Sequence, residues 1–392
     1  MGTLVQPSMV EILGFDEVQD VVHLGWLLSI WFRWSPRRWA PRCDGDPRRL
    51  PDSPLFPLFL GAVCARLSGV RNPILVTGGA GFIGSHLVER LLADGESVVV
   101  LDDFSTGDRA NLQAVEGHSR LRILPGRVSD HPDLVALVAE CGFVYHLAAA
   151  VGVELVVNSP IRTIETNIDE TTVVLRAAAA GGVPVLITSS SEVYGKSPRS
   201  EFAETDDLLI GPPHLGRWGY ACSKLMDEFL ALAYMRERGV PVTVVRLFNT
   251  VGPRQTGRYG MVLPRFVQAA LLNQPIRVHG DGGQSRCFCH VQDVLEALRG
   301  LEQRPTCRGE VVNVGNNQPI TIRELAERVR SLVGSSSPIE FVPYEQAYAP
   351  GFEDMRHRRP SLAKLERLTG YRPTRDLDTI IRDVAAHLRA AG

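Results

Sequence analysis

The sequence predicts an α/β protein: a Rossmann-type doubly wound parallel sheet followed by a smaller C-terminal lobe that binds the substrate. Three observations predict it. An apolar run, Ile74-Leu-Val76, passes through Thr77 into glycines at 78, 81 and 84, and then into an amphipathic stretch, Ser85 to Ala93, that stops at Asp94-Gly95. A second apolar run, Ser97 to Leu101, ends at Asp102. Strand-like and helix-like stretches then alternate to about residue 250, the pattern of parallel βαβ units whose ligands sit at the carboxyl ends of the strands.

The glycine turn comes first. Glycine lets the backbone approach a pyrophosphate, while the first helical N–H groups and the positive helix end face the anion. Gly78, Gly81, Phe82, Ile83 and Gly84 are therefore candidate cofactor contacts. A glycine-rich turn with no ligand is the plainer reading, and Asp102 weighs against it. An acidic residue at the end of the second strand accepts hydrogen bonds from the adenosine ribose and disfavours a 2′-phosphate, so the cofactor read here is NAD rather than NADP.

After a loop at Phe104 to Gly107, Leu121 to Leu124 reads as the third strand, ending at Pro125-Gly126. His131-Pro132 opens a helix whose buried face carries Leu134, Leu137 and Val138. Phe143 to Leu147 is the fourth strand, and the small residues after it place Leu147 and Ala148 against the cofactor. One long helix spans Ile161 to Ala180, closed by Gly181-Gly182, and the strand Val185 to Thr188 runs into Ser189-Ser-Ser-Glu-Val-Tyr194. Hydroxyls and a carboxylate at that edge mark Ser190, Ser191 and Glu192 as candidate catalytic groups.

The next helix begins near Gly219 and carries Tyr220 and Lys224. Four residues apart, they share a helix face. A phenol with a pKa of about 10 is a poor base at neutral pH, and a neighbouring cation favours its phenolate. Against this stands an ordinary surface pair, but with three lysines and eight tyrosines in 392 residues only roughly 0.06 such spacings arise by chance. After the strand Val242 to Phe248 the alternation loosens. Helices are expected around Gln292 to Leu301, Ile322 to Val333, Ser361 to Leu368 and Leu377 to Leu388, with the strand-like Val311 to Gly315 assigned to the second lobe.

Composition bounds the partners. With 44% hydrophobic and 22% charged residues the chain can bury a large core in two lobes. A net charge of −2 supplies no basic field, so no nucleic-acid partner is expected. Seven cysteines without paired spacing suggest reduced thiols and a cytoplasmic protein. Cys287-Phe-Cys289-His290 alternates like a strand and no second ligand pair follows, so no metal is expected. Residues 1 to 70 lack the pattern of the rest, with four of the five tryptophans between Trp26 and Trp39. Their apolar run, Val21 to Phe32, is shorter than the ~20 residues that span a bilayer, and positive charges follow rather than precede it. A poorly ordered extension with no firm membrane association is expected there.

Together these motifs resemble the extended short-chain dehydrogenase/reductase family, in its NAD-dependent nucleotide-sugar epimerase/dehydratase branch. The resemblance covers about residues 73 to 388. It rests on Thr77-Gly-Gly-Ala-Gly-Phe-Ile-Gly84, Tyr145-His-Leu-Ala-Ala149, Ser189-Ser-Ser-Glu-Val-Tyr-Gly195, Tyr220-x3-Lys224 and Arg246-Leu-Phe-Asn-Thr-Val-Gly-Pro253. It implies Tyr220 as the base, Lys224 on the nicotinamide ribose, and Ser190 or Ser191 on the reacting sugar oxygen. It further implies a homodimer, and Asn249, Arg286, Arg356 and Arg358 as contacts to a UDP-sugar. The domains expected are then 1–70 as the extension, 71–250 as the NAD-binding domain and 251–392 as the nucleotide-sugar-binding lobe.

Ser-Glu-Val-Tyr-Gly, Gly211-Pro, Arg217-Trp, Gln284-Ser-Arg-Cys-Phe288 and His357-Arg-Arg-Pro-Ser361 are similar to UDP-glucuronate decarboxylases, which implies loss of CO₂ from a 4-keto intermediate, with Glu192 helping to protonate C5 or crowding the departing carboxylate. A UDP-sugar 4-epimerase and a non-catalytic NAD-binding regulator are the alternatives. The chain departs from the family pattern at Arg127, where an aspartate usually holds adenine. It departs also at Glu170, within Asn167-Ile-Asp-Glu-Thr171 in place of Asn-x-x-Gly-Thr, and at Val151-Gly-Val-Glu-Leu155.

Overall fold

The structure, a computed structural model, describes residues 72–151, 159–257, 261–343, 346 and 355–391. The expected extension at residues 1–70 lies outside them, as does most of Val151 to Leu155.

The first βα unit sets the frame. Strand β1 (Ile74–Thr77) enters the glycine turn, and helix α1 (Phe82–Ala93) leaves it with Gly81 as N-cap, three residues earlier than the amphipathic pattern begins. There follow β2 (Val98–Asp102), β3 (Leu121–Pro125), α2 (Leu134–Ala139), β4 (Phe143–His146), α3 (Pro160–Gly181), β5 (Val185–Ser190), α4 (Arg217–Arg238) and β6 (Val242–Leu247). Helix α2 starts two residues past Pro132, with Asp133 as its N-cap, and is only six residues long. Gly182 ends α3 in the left-handed conformation, at φ 63°, which glycine adopts without a Cβ penalty.

Alternation along the strands builds two cores. In β1, Ile74 and Val76 face α1, whose Leu87 and Leu91 are fully buried. Leu75 faces the other side, with Leu137 and Val138 of α2 and Val174 and Leu175 of α3. Full burial of each such Leu contributes about 2 kcal/mol.

Seven parallel strands form the sheet, in the order β11-β6-β5-β4-β1-β2-β3. Its edge strand β11 (Val311–Val314) pairs with β6. This corrects the expected division at residue 250. Although the polypeptide has left for the second lobe by then, helix α6 (Val291–Glu302) and β11 return to the sheet, with Val294, Leu298 and Val312 in the same core as α1. Periodicity identified 311–315 as a strand but carried no information about which sheet it joins.

The remaining elements form the smaller lobe: β7 (Thr250–Val251), α5 (Val262–Leu271), β8 (Ile276–His279), β9 (Ser285–Cys287), β10 (Cys289–His290), β12 (Pro319–Thr321), α7 (Ile322–Val333) and β13 (Ile339–Val342), then α8 (Ala363–Thr369) and α9 (Leu377–Ala391). Of these, α8 sends Leu365 into the core beneath α1. The lobe's own core joins Phe266 of α5, Leu325 and Val329 of α7 and Ile380 and Ile381 of α9. A capping box between Thr321 and Glu324 opens α7, satisfying two otherwise unpaired donors.

Candidate active site

A cleft of about 770 Å³ opens along the carboxyl ends of the strands. Its floor is the glycine turn. Gly78 has φ +70°, and a Cβ on it would lie 2.7 Å from the backbone nitrogen of Ala148. At Gly84 a Cβ would lie 2.1 Å from the carbonyl oxygen of Gly78. Only glycine fits either position, and the turn leaves the start of α1 facing the cleft. Gly81, Phe82, Ile83, Leu147 and Ala148 line the same wall. This surface fits a dinucleotide pyrophosphate, with backbone donors and a positive helix end where the anion would lie.

Asp102 closes one end. Its two oxygens accept from the backbone nitrogens of Ala80 and Phe104, each at 2.8 Å, so the side chain first shapes the turn. Each carboxylate oxygen has a second lone pair for a ribose hydroxyl, and Asp103 lines the cleft beside it.

At the other end stand Ser190, Tyr220 and Lys224, all lining the cleft. Helix α4 places the phenol and the ammonium on one face. Burial pushes the Tyr220 phenol above its ordinary value, Glu192 and Asp227 add to this, and Ser190 and Arg358 oppose it. Lys224 donates to Asp227 at 2.8 Å, both side chains being buried. A pH-silent support lies beneath. The His146 ring sits between the hydroxyls of Thr77 (2.8 Å) and Thr171 (3.2 Å), and burial, aided by the charge of Lys224, lowers its pKa to about 3.

The strand-end residues separate by role. Ser190 faces the cleft, and its hydroxyl accepts from the Glu192 backbone nitrogen at 3.2 Å. Ser189 instead donates to Glu228, which is locked to Arg246 at 2.7 Å. Of the two serines left open by the sequence, Ser190 lines the cleft and Ser191 is buried.

Glu192 is clamped between two cations. Arg217 reaches it at 3.1 Å, and Arg358 bonds its other oxygen. Burial would raise its pKa, but Arg358, Arg217 and Arg286 together hold it down to about 2. A carboxylate held that low carries no proton at neutral pH. Between the two arginines Glu192 is held as a carboxylate.

The expected substrate contacts divide as well. Arg358 joins the Glu192 cluster, and its Nε is buried with no hydrogen-bond partner among the described residues. Arg286 is buried, with Nη1 on its own Ser285 carbonyl at 2.8 Å, and contributes charge to the same cluster. Arg356 is exposed, and its carbonyl accepts from the Ser285 nitrogen. Asn249 holds the junction between β9 and β10: its side-chain amide donates to the Cys287 carbonyl at 3.1 Å, and its backbone carbonyl accepts from the Cys289 nitrogen at 3.1 Å. Cys287, Cys289 and His290 lie in those strands, and no cluster of His, Cys, Asp or Glu that could hold a metal occurs among the described residues.

Asp227 was not singled out from the sequence, and Arg217 entered only through the motif Arg217-Trp, with no role assigned. Both carried a signal in their spacing: 217, 220, 224 and 227 follow the i, i+3, i+4 rule and share one face of α4.

The fold and site define an NAD-dependent enzyme of the nucleotide-sugar-modifying type, and comparison with known proteins agrees. Residues 74–315 match the model of the NAD dependent epimerase/dehydratase family. The chain belongs to that family. It is 40% identical over 306 residues to the UDP-N-acetyl-alpha-D-glucosaminuronate decarboxylase of Bacillus cytotoxicus, covering 78% of this chain and 94% of that one. It is 35% identical over 318 residues to UDP-glucuronic acid decarboxylase 1 of Danio rerio, covering 79% and 70%. Among solved structures it is similar to the UDP-glucuronic acid 4-epimerase of Bacillus cereus, with a TM-score of 0.73 and 28% identity over 82% of this chain and all of that one.

Proposed function

We propose that this protein is a UDP-uronate decarboxylase, with UDP-glucuronate as the substrate. The observation that carries the reading is the cluster of Arg217, Arg358 and Glu192 beside Tyr220. Two buried guanidinium groups next to the base suit a sugar that carries a carboxylate at C6, and the orphaned Nε of Arg358 is a donor in need of an acceptor.

Bound NAD⁺ supplies the two-electron acceptor for C4 and the donor that later restores it. Tyr220 takes the proton of the 4-hydroxyl as C4 is oxidised, while Ser190 holds that oxygen. Lys224 orients the nicotinamide ribose and adds positive charge near the phenol. Oxidation makes the uronate a β-keto acid, whose CO₂ leaves because the electrons remaining at C5 delocalise onto the C4 oxygen. Tyr220 and Ser190 stabilise that oxygen by hydrogen bonds. C5 then takes a proton from solvent water, which balances the loss of CO₂ from the carboxylate. As a fixed anion, Glu192 keeps the two arginines in place and repels the departing carboxylate.

A second reading replaces the sugar 2-hydroxyl by an acetamido group, favoured by the Bacillus cytotoxicus relative. Mixing the enzyme with UDP-glucuronate, UDP-N-acetylglucosaminuronate or UDP-glucose and following transient nicotinamide reduction by the absorbance of NADH separates them. The preferred uronate gives the largest transient, and a transient with UDP-glucose alone would contradict both uronate readings.

We further propose that the protein is a cytoplasmic homodimer. Cys222, Met226 and Phe229 form an exposed stripe on α4, with Met226 54% and Phe229 60% exposed. That spacing presents one apolar face to a second copy. Sedimentation of a Met226→Glu/Phe229→Glu variant should show a monomer, and a dimer persisting in the variant would remove this face from the interface. No described helix is long and apolar enough to cross a membrane.

A further inference from the structure

We propose that Arg127 reads the purine edge of the bound dinucleotide, and that it reads hydrogen-bond acceptors there rather than the 6-amino group. The argument rests on the dinucleotide assignment of the cleft and is independent of the sugar chemistry.

The sheet order gives the direction. A dinucleotide with its pyrophosphate at the start of α1 and its adenosine ribose at Asp102 has its base beyond β2, and the next strand in the sheet is β3. The residues following β3, Gly126 and Arg127, line the cleft at that end, together with Thr166 and Glu170 of α3. Arg127 and Glu170 are also two of the positions at which the sequence departs from its family's pattern, and the structure makes them partners. Arg127 Nε lies 3.4 Å from Glu170 Oε1.

The two partners differ in what they have left to offer. Glu170 is buried, with its side chain 4% exposed. Its oxygens accept from the Ser129 backbone nitrogen at 3.0 Å and the Ser129 hydroxyl at 2.9 Å. Arg127 is 43% exposed and otherwise makes one long bond, from Nη2 to the Thr166 hydroxyl at 3.4 Å. The carboxylate is consumed in holding the guanidinium, and the guanidinium is the group left facing the cleft.

A guanidinium donates and never accepts. Adenine shows it an acceptor, N7, beside a donor, the 6-amino group. A 6-oxopurine shows two acceptors, N7 and O6, which an arginine fork meets with two parallel hydrogen bonds. An aspartate at this position has the opposite preference, since it accepts from the 6-amino group and repels a 6-oxo group. The Arg127 and Glu170 exchange therefore alters base selectivity while keeping the site closed.

The test is displacement of NADH, followed by its fluorescence, from the protein without sugar present. The competitors are NAD⁺, nicotinamide hypoxanthine dinucleotide, and nicotinamide mononucleotide, which lacks the adenosine half. Wild type should bind the hypoxanthine dinucleotide at least as tightly as NAD⁺. In Arg127→Asp/Glu170→Gly the preference should turn toward NAD⁺ by about 5-fold or more, the lower end of a bidentate contact's discrimination. Arg127→Ala, which asks less of the fold, should weaken the hypoxanthine dinucleotide more than NAD⁺ and leave the mononucleotide unchanged. A wild-type preference for NAD⁺ of about 5-fold or more, or a preference that neither variant alters, would overturn the proposal.

Discussion

Lys224 Nζ lies 2.8 Å from Asp227 Oδ2, and both side chains are almost wholly buried. The ammonium that stands four residues from Tyr220 is thus neutralised by a carboxylate three residues further along the same helix. Asp227 is among the groups that push the Tyr220 phenol up. The positive charge that Lys224 brings near the phenol is thus opposed by its own counter-ion.

This pair gives the first prediction. Lys224→Ala should lose NAD⁺ affinity and turnover, and should also be destabilised by about 3–5 kcal/mol because Asp227 is left as an unpaired buried charge. Lys224→Ala/Asp227→Asn should recover most of the stability and none of the turnover. Denaturant melts and steady-state rates on the two variants check this. Recovery of both together would make the lysine a structural residue.

Tyr220→Phe keeps the ring and removes the base. Turnover should fall by at least about 10², the usual contribution of a positioned general base, while NAD⁺ affinity measured by titration stays near that of wild type. Near-normal turnover would remove Tyr220 from the chemistry.

Glu192 makes a prediction in pH. It raises the Tyr220 phenol, so Glu192→Gln should move the acidic limb of kcat/KM to lower pH, while release of CO₂ slows by about 10² as the arginine cluster loosens. The same carboxylate bears on stability. Its folded pKa of about 2 lies below its ordinary value of 4.5, so its contribution is complete above pH 4.5 and is lost as pH falls toward 2. The stability gap between wild type and Glu192→Gln should therefore close over that window. A gap that is flat with pH would mean that the arginines do not hold Glu192 in the way described.

Much of this was legible in the sequence, for reasons that differ by residue. The glycine turn, Asp102, Tyr220 and Lys224 were legible because their chemistry demands particular residues at fixed spacings within one βα unit or one helix turn. Helix ends were less so: α4 begins at Arg217 rather than near Gly219, since a loop residue and a first-turn residue look alike in periodicity. Contacts between distant segments were not legible at all. Nothing in the local pattern says that Arg358 meets Glu192 across 166 positions, that Val311–Val314 returns to the first sheet, or that Arg127 and Glu170 are partners. Asn249 was placed on the substrate by the family resemblance alone, and no local pattern shows that its amide also donates to the Cys287 carbonyl.

Gly84→Ala tests the turn itself. The added methyl would sit 2.1 Å from the Gly78 carbonyl oxygen and 2.8 Å from the Gly79 Cα, and neither backbone atom can yield without opening the turn. Loss of NAD⁺ binding and a fall in melting temperature should appear together, because helix α1 packs its Leu87 and Leu91 against β1 from this hinge. NAD⁺ binding unchanged in this variant would place the pyrophosphate elsewhere.

In the proposed reaction the arginine cluster beside Tyr220 serves the loss of CO₂ from a UDP-uronate. The direct measurement is the mass of the sugar nucleotide after incubation of the NAD⁺-loaded enzyme with UDP-glucuronate. The expected product is lighter by one CO₂, a UDP-pentose, formed without net consumption of NAD⁺. A product of unchanged mass and altered configuration at C4 would contradict it and make the protein a 4-epimerase.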